Sequence, residues 1–253
     1  MTQPPTLYLH PAVFGENASI VAGFSTRGGG CSGPPNASLN LSLSVGDDEA
    51  HVRENRRRLF ESIGFSPEAV AYAGQVHGAA VKVVDASGLY RGYDGMVTRT
   101  TGLLLCITAA DCAAVLLADA EARVVGACHA GWRGAVARIV VDTVAIMQRL
   151  GAAPDRLRAY VGPCISTAHF EVGPEVAAQF DPAFVSRLPG RPKPHVDLKA
   201  AIAAQLAETG VAEAHIEVSP HCTVAETGTF FSHRAEQGRT GRMMGFIGIK
   251  NSV

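Results

Sequence analysis

Residues 103–134, LLLCITAADCAAVLLADAEARVVGACHAGWRG, decide how this chain is read. Three apolar runs, 103–108, 113–118 and 124–128, are too short for core helices and too continuous for strands with one wet face. Runs of this length, rich in Val, Leu and Ile, suit strands in a sheet covered on both sides. Polar groups interrupt them at two places only. One is Ala110-Asp111-Cys112; the other is His129, followed by the Gly131-Trp132-Arg133-Gly134 turn. A cysteine and a histidine, each beside a buried strand, are the first candidates for chemistry.

Working outward, residues 135–150 read as the clearest helix. Val136, Ile139, Val140, Thr143, Val144, Met147 and Leu150 recur every three or four positions, and Gly151 follows as a stop. Upstream, 70–76 reads as a strand ending at His77 in Gln75-Val76-His77-Gly78, with 79–84 as its continuation or partner and 85–93 as a loop. Asp94-Gly95 is a turn. Asp47 or Asp48 can cap a helix reaching about Gly64. A short strand at 20–25 runs into Thr26-Arg27-Gly28-Gly29-Gly30. Downstream, strands are expected at 157–161, 216–218 and 243–249. A short helix should follow Gly173, and another, capped by Asp197, should cover 198–209. The proline-rich stretch 181–196 reads as an exposed loop. There is no repeat and no linker, so the pattern predicts one α/β or α+β domain built of layers over residues 1–253.

Composition narrows the function classes. The chain has 253 residues, 22 basic against 23 acidic, and a hydrophobic fraction of 47%, so it can build a sizeable core without a charge bias. No basic block of the nucleic-acid type is present, and Arg56-Arg57-Arg58 falls on a helix as a solvated face. No apolar run reaches the ~18 residues of a membrane span, and the N-terminal stretch lacks the pattern of a signal peptide. The six cysteines have no CxxC spacing, which fits reduced thiols and a cytoplasmic location.

His77, Cys112 and His129 lie 35 and 17 positions apart, so three separate elements would have to bring them together. Two imidazoles and a thiolate suit Zn2+ with one position left open, and Cu2+ can occupy the same ligands. Asp111, a charge beside the cysteine, is a candidate proton acceptor or ligand-orienting group; its plain alternative is a cap or salt bridge. Arg133, at the start of a helix, can add to an anion site. Arg27, before three glycines, can grip an anion as well. For both arginines a structural ion pair is the competing reading. Cys112 with a histidine base would instead make a nucleophile, although ligation and nucleophilicity compete for one sulfur.

The ordered set GFSTRGGG (23–30), ASLNLS (37–42), QVHG (75–78), TAADC (108–112), CHAGWRG (128–134) and TGRMMGFIGI (240–249) resembles the YfiH/YlmD family. That family is variously called laccase-domain or multicopper polyphenol oxidase, peptidoglycan editing factor and purine nucleoside phosphorylase. The resemblance covers about residues 21–249. It implies a single layered sandwich with mixed β-sheets flanked by helices, and zinc on His77, Cys112 and His129. It also implies phosphorolysis of adenosine, inosine and methylthioadenosine, together with adenosine deamination. Purine nucleosides and phosphate would be the partners, and the oligomeric state, monomer or homodimer, stays open. Arg27 and Asn40 fall in motifs near the family's pocket, and Cys164 and Glu171 in segments that could form its wall. The family's FFSHRR-type segment is Phe230-Phe231-Ser232-His233-Arg234-Ala235 here, so the second arginine is missing.

The rival activities leave different marks. A four-copper laccase uses several HxH pairs, and nine histidines here form none. The H-x-E and P-C-x-x-C pattern of cytidine deaminases is also absent. A cysteine hydrolase or a structural metal domain tied to the cell wall remains as the alternative class.

Overall fold

The computed structural model describes residues 6–15 and 19–251. In chain order, β1 (Tyr8–Leu9) and β2 (Ile20–Ser25) precede α1 (Glu49–Ser62), which Asp48 caps by accepting from the Ala50 N–H. Then come β3 (Val70–Gly74), β4 (Val81–Val83), β5 (Gly88–Arg91) and β6 (Gly95–Thr98). The stretch that opened the reading supplies β7 (Leu104–Ala109), β8 (Ala113–Asp119) and β9 (Val124–Ala130). Beyond it lie α2 (Trp132–Val136), α3 (Ile139–Arg149), β10 (Arg158–Val161) and α4 (Pro174–Ala177). The chain closes with β11 (Val185–Ser186), β12 (His195–Val196), α5 (Leu198–Glu208), β13 (Ile216–Val218) and β14 (Met243–Ile249).

Two six-stranded mixed sheets form the body. The first has the order β1-β2-β14-β7-β3-β5 and the second β13-β10-β8-β9-β6-β4; β11 and β12 pair separately. Alternation along the central strands explains the continuous apolar runs. Leu105 and Ile107 of β7 face the other sheet and meet Leu116 and Ala127, whereas Leu104 and Cys106 face Leu59 and Phe60 of α1. Val115 and Leu117 of β8 face Ile139, Val140 and Val144 of α3. The layers are therefore helix, sheet, sheet, helices, and the inner strands have no wet face.

Four local expectations need correction. The helix expected over 135–150 is two helices, broken where Arg138 takes a left-handed conformation at φ 61°. Gln205 Nε2 of α5 donates to the Ala135 carbonyl at 2.8 Å, so that carbonyl has a partner outside its own helix. Residues 79–84 do not continue β3. The chain crosses to the second sheet after Gly74, and β4 pairs in parallel with β6. The expected loop 85–93 contains β5, an edge strand whose exposed Leu89 gives no burial signal. Within 181–196, β11 and β12 form a short antiparallel pair.

Candidate metal centre and its cavity

Two of the crossings between the sheets build the site. The β3–β4 crossing carries Gln75-Val76-His77-Gly78, and the β7–β8 crossing carries Ala110-Asp111-Cys112. His129 stands near the end of β9, whose register sets it opposite Ala114. The ligating atoms of His77, Cys112 and His129 lie within 4.8 Å of one another, the only such group of three or more among the described residues. Residues far apart in sequence thus converge as the spacing required.

Asp94 explains why. It is fully buried. Its Oδ1 accepts from His77 N–H at 3.0 Å and faces His129 Nδ1 at 2.9 Å; its Oδ2 accepts from the Val76 and Gly78 N–H groups at 3.0 and 2.8 Å. One carboxylate therefore shapes the His77 loop and orients the His129 ring. With Nδ1–H directed to Asp94, Nε2 is left for the cluster. Burial pushes the Asp94 carboxyl up, but the His129 hydrogen bond and the two amides outweigh it and hold it below its ordinary value. The sequence presents Asp94 only as a turn residue. Gln75 is the second tie: its side chain accepts from Thr108 N–H and Oγ1–H and donates to Thr108 O, joining the two crossings.

The donor set fits a metal ion. Burial raises the Cys112 thiol, yet hydrogen bonding with His129 and His77 wins and brings it down to about 6. His129 is pushed down by burial and pulled up more strongly by Asp94 and Cys112, to about 9. Each group thus favours the charged form of the other, the form in which the sulfur can bind a cation. Gly131 makes room for it, because a Cβ there would lie 2.8 Å from Cys112 Sγ.

A cavity of about 430 Å³ opens beside the cluster. The ligand trio and Asp111 line it, Trp132 and Phe170 supply aromatic faces, and His233, Arg234, Arg242 and Ser44 add polar groups. Asp111 sits in a left-handed conformation at φ 81°. Its Oδ1 accepts from Thr223 Oγ1–H and its Oδ2 from Arg234 N–H, both at 2.6 Å. It therefore holds the 232–234 segment against the cavity while retaining acceptor capacity.

Three residues expected near an anion or substrate stand elsewhere. Arg27 donates to Ala37, Thr227 and Phe230 carbonyls, pairs with Glu236 at 3.1 Å and stacks on Phe231. Asn40 has its amide fully engaged with Ser42, Asp47 and Arg242 N–H. Neither lines the cavity. Arg133 is exposed, with its guanidinium 4.3 Å from the Trp132 ring centroid. Cys164 and Glu171 are not in the wall either; their neighbours Ile165 and Phe170 are. Arg242, inside TGRMMGFIGI, was the unread member. The only sequence signal for it was its place in that motif.

The sequence profile of the "Multi-copper polyphenol oxidoreductase laccase" family matches residues 21–250. The chain belongs to this family. Among its curated members, a purine nucleoside phosphorylase of Deinococcus radiodurans is 43% identical over 94% of this chain and 93% of its own length. An adenosine deaminase named RL5, from an unknown prokaryotic organism, is 36% identical over 93% and 96%. The crystal structure of YlmD from Geobacillus stearothermophilus superimposes with a TM-score of 0.86 at 36% identity, covering 98% of this chain and all of that one. The layered architecture is thus the family's own.

Proposed function

We propose that this family member is a zinc-dependent purine nucleoside enzyme. It phosphorolyses adenosine, inosine and methylthioadenosine to the free base and (methylthio)ribose 1-phosphate, and it deaminates adenosine to inosine. One observation carries the reading: a three-ligand cluster with an open position shares a single cavity with aromatic faces and with arginines. The names of the relatives support it. A zinc ion on His77, Cys112 and His129 supplies Lewis acidity to an oxygen nucleophile at neutral pH.

The protein's own groups do the rest. Trp132 and Phe170 offer flat apolar faces to a purine. Asp111 lines the same space and is our proposed acid–base group for the departing base or amine. Asp94 keeps His129 in one tautomer and orientation.

The donor set also accepts Cu2+. A laccase reaction, however, draws on several copper sites, and the described residues hold one cluster of three or more ligand-type side chains. A cysteine hydrolase would need Cys112 free, yet its sulfur lies with two histidine nitrogens within 4.8 Å in the cluster that we assign to the metal.

The test is turnover of adenosine by metal-quantified protein with and without phosphate, following adenine and inosine separately. Adenine only with phosphate, and inosine without it, is the expected result. Neither product from zinc-loaded protein refutes the reading.

A further inference from the structure

Among the arginines near the cavity, Arg242 has the surroundings of a cation awaiting an anion. It lines the cavity and is partly buried there. Its Nη1 donates to the Thr240 and Gly241 carbonyls at 2.8 and 3.0 Å, which fixes the plane of the guanidinium. Its backbone N–H donates to Asn40 Oδ1 and its carbonyl accepts from Leu41 N–H, so the 40–42 segment holds it from behind. No carboxylate pairs with it among the described residues. Burial presses its pKa down, and the charges of Asp111 and Cys112 only partly oppose that. A shielded charge without a counter-ion is costly, and a protein keeps one where a ligand completes the pair.

The other arginines differ in kind. Arg27 already has Glu236. Arg133 is exposed on Trp132. Arg234 is exposed at its tip and donates Nη1 to the His169 and Glu171 carbonyls.

We propose that Arg242 is the binding residue for the tetrahedral oxyanion co-substrate, inorganic phosphate, and that it thereby selects phosphate over water as the nucleophile in this cavity. The inference rests on the purine nucleoside reading above. Its chemistry balances. An oxygen of HPO4²⁻ forms the new bond to C1′ of the nucleoside while the C1′–N9 bond breaks. The bonding pair leaves with the purine, and the proton carried by the phosphate ends on the base. The products are the base and the ribose 1-phosphate dianion. Deamination needs no anion: water adds at C6 of the purine and ammonia leaves. A rigid, forked guanidinium is the side chain suited to hold two phosphate oxygens at once. Phosphorolysis should therefore depend on Arg242 far more than deamination does.

The experiment uses zinc-loaded wild-type protein and the variants Arg242→Gln and Arg242→Lys, each checked for metal content and thermal midpoint. Adenine and inosine are followed across a phosphate titration at constant ionic strength. In parallel, phosphate binding is measured without nucleoside by the shift in thermal midpoint, against chloride. The expected result for Arg242→Gln is a fall of about 30-fold in the adenine-to-inosine ratio, the loss of a charge-assisted hydrogen-bond pair. The phosphate KM rises and the phosphate-induced thermal shift disappears. Arg242→Lys, which keeps the charge and loses the fork, should fall between the two, and it serves if the Gln variant does not fold.

An unchanged phosphate KM in the folded variants overturns the assignment and leaves phosphorolysis standing. A phosphate-induced shift that persists in Arg242→Gln places the anion on the metal and also overturns it. Wild-type protein that binds phosphate through Arg242 but makes no adenine supports the anion site while removing the phosphorolysis reading.

Discussion

The two sides of the cavity are built on opposite plans. The metal side is over-determined. His77 and Cys112 sit in the crossings and His129 near the end of β9, and Asp94 and Gln75 tie them together through seven hydrogen bonds, five of them to backbone groups. The cationic side comes from the non-strand segments around Arg234 and Arg242, and among the described residues no carboxylate forms an ion pair with Arg242, whose charge Asp111 and Cys112 only partly offset. The contrast teaches that the side proposed to coordinate a metal is held rigidly by a buried carboxylate and a glutamine, whereas the side proposed to meet a diffusible anion carries a guanidinium with no carboxylate partner among the described residues.

The hardest blow to the contrast is Cys112→Ala. It should abolish stoichiometric metal binding and lower turnover on the order of 10³-fold or more, since a metal contributes several kcal/mol to such a reaction. Elemental analysis of the purified variant reads this directly, and retained metal would remove Cys112 as a ligand. Asp94→Asn comes next. It leaves all three ligands in place but weakens the hold on His129, so metal affinity should fall by about 10- to 100-fold in a chelator competition. An affinity equal to wild type would mean that the ring does not need Asp94.

Protonation gives a smaller effect on the same side. His129 and His77 hold the Cys112 thiol down, to about 6, and Asp94 and Cys112 hold His129 up, to about 9, so the metal-free pair favours a thiolate beside an imidazolium. Metal must displace the His129 proton, so binding releases a proton and affinity rises with pH across that window. Calorimetry in buffers of differing ionisation enthalpy measures it; no proton release at pH 7 would contradict the ion-pair description. The smallest effect on activity belongs to Arg27→Ala. Its ion pair with Glu236 and its three carbonyl partners predict a stability loss of about 1–3 kcal/mol in urea, with the phosphate KM unchanged. A raised phosphate KM would return Arg27 to the anion site and blur the distinction between the two sides.

How far the sequence could be read follows the same division. The central strands were legible because burial on both faces writes itself as uninterrupted apolar runs. The ligand trio was legible because reactive residue types broke those runs. Asp94 was not, because a buried carboxylate that accepts backbone amides looks like any Asp-Gly turn until the loop it organises is seen. Arg27 and Arg242 could not be ranked either. Both lie next to glycine in motifs of the resemblance, and what separates them is a carboxylate partner: Glu236, 209 positions from Arg27, against none among the described residues for Arg242. β5 escaped because an edge strand with exposed side chains leaves no apolar pattern. The break at Arg138 escaped because the helical periodicity runs through it, while the left-handed Arg138 and the hydrogen bond from Gln205 to the Ala135 carbonyl, 70 positions away, leave no mark in the local sequence.

The positions of His77 and Cys112 have one more consequence. Each lies where the backbone passes from one sheet to the other, and His129 belongs to the second sheet. An ion held by the three would be a cross-link between the halves of the sandwich, so its loss would loosen the catalytic side chains and the mechanical coupling of the sheets together.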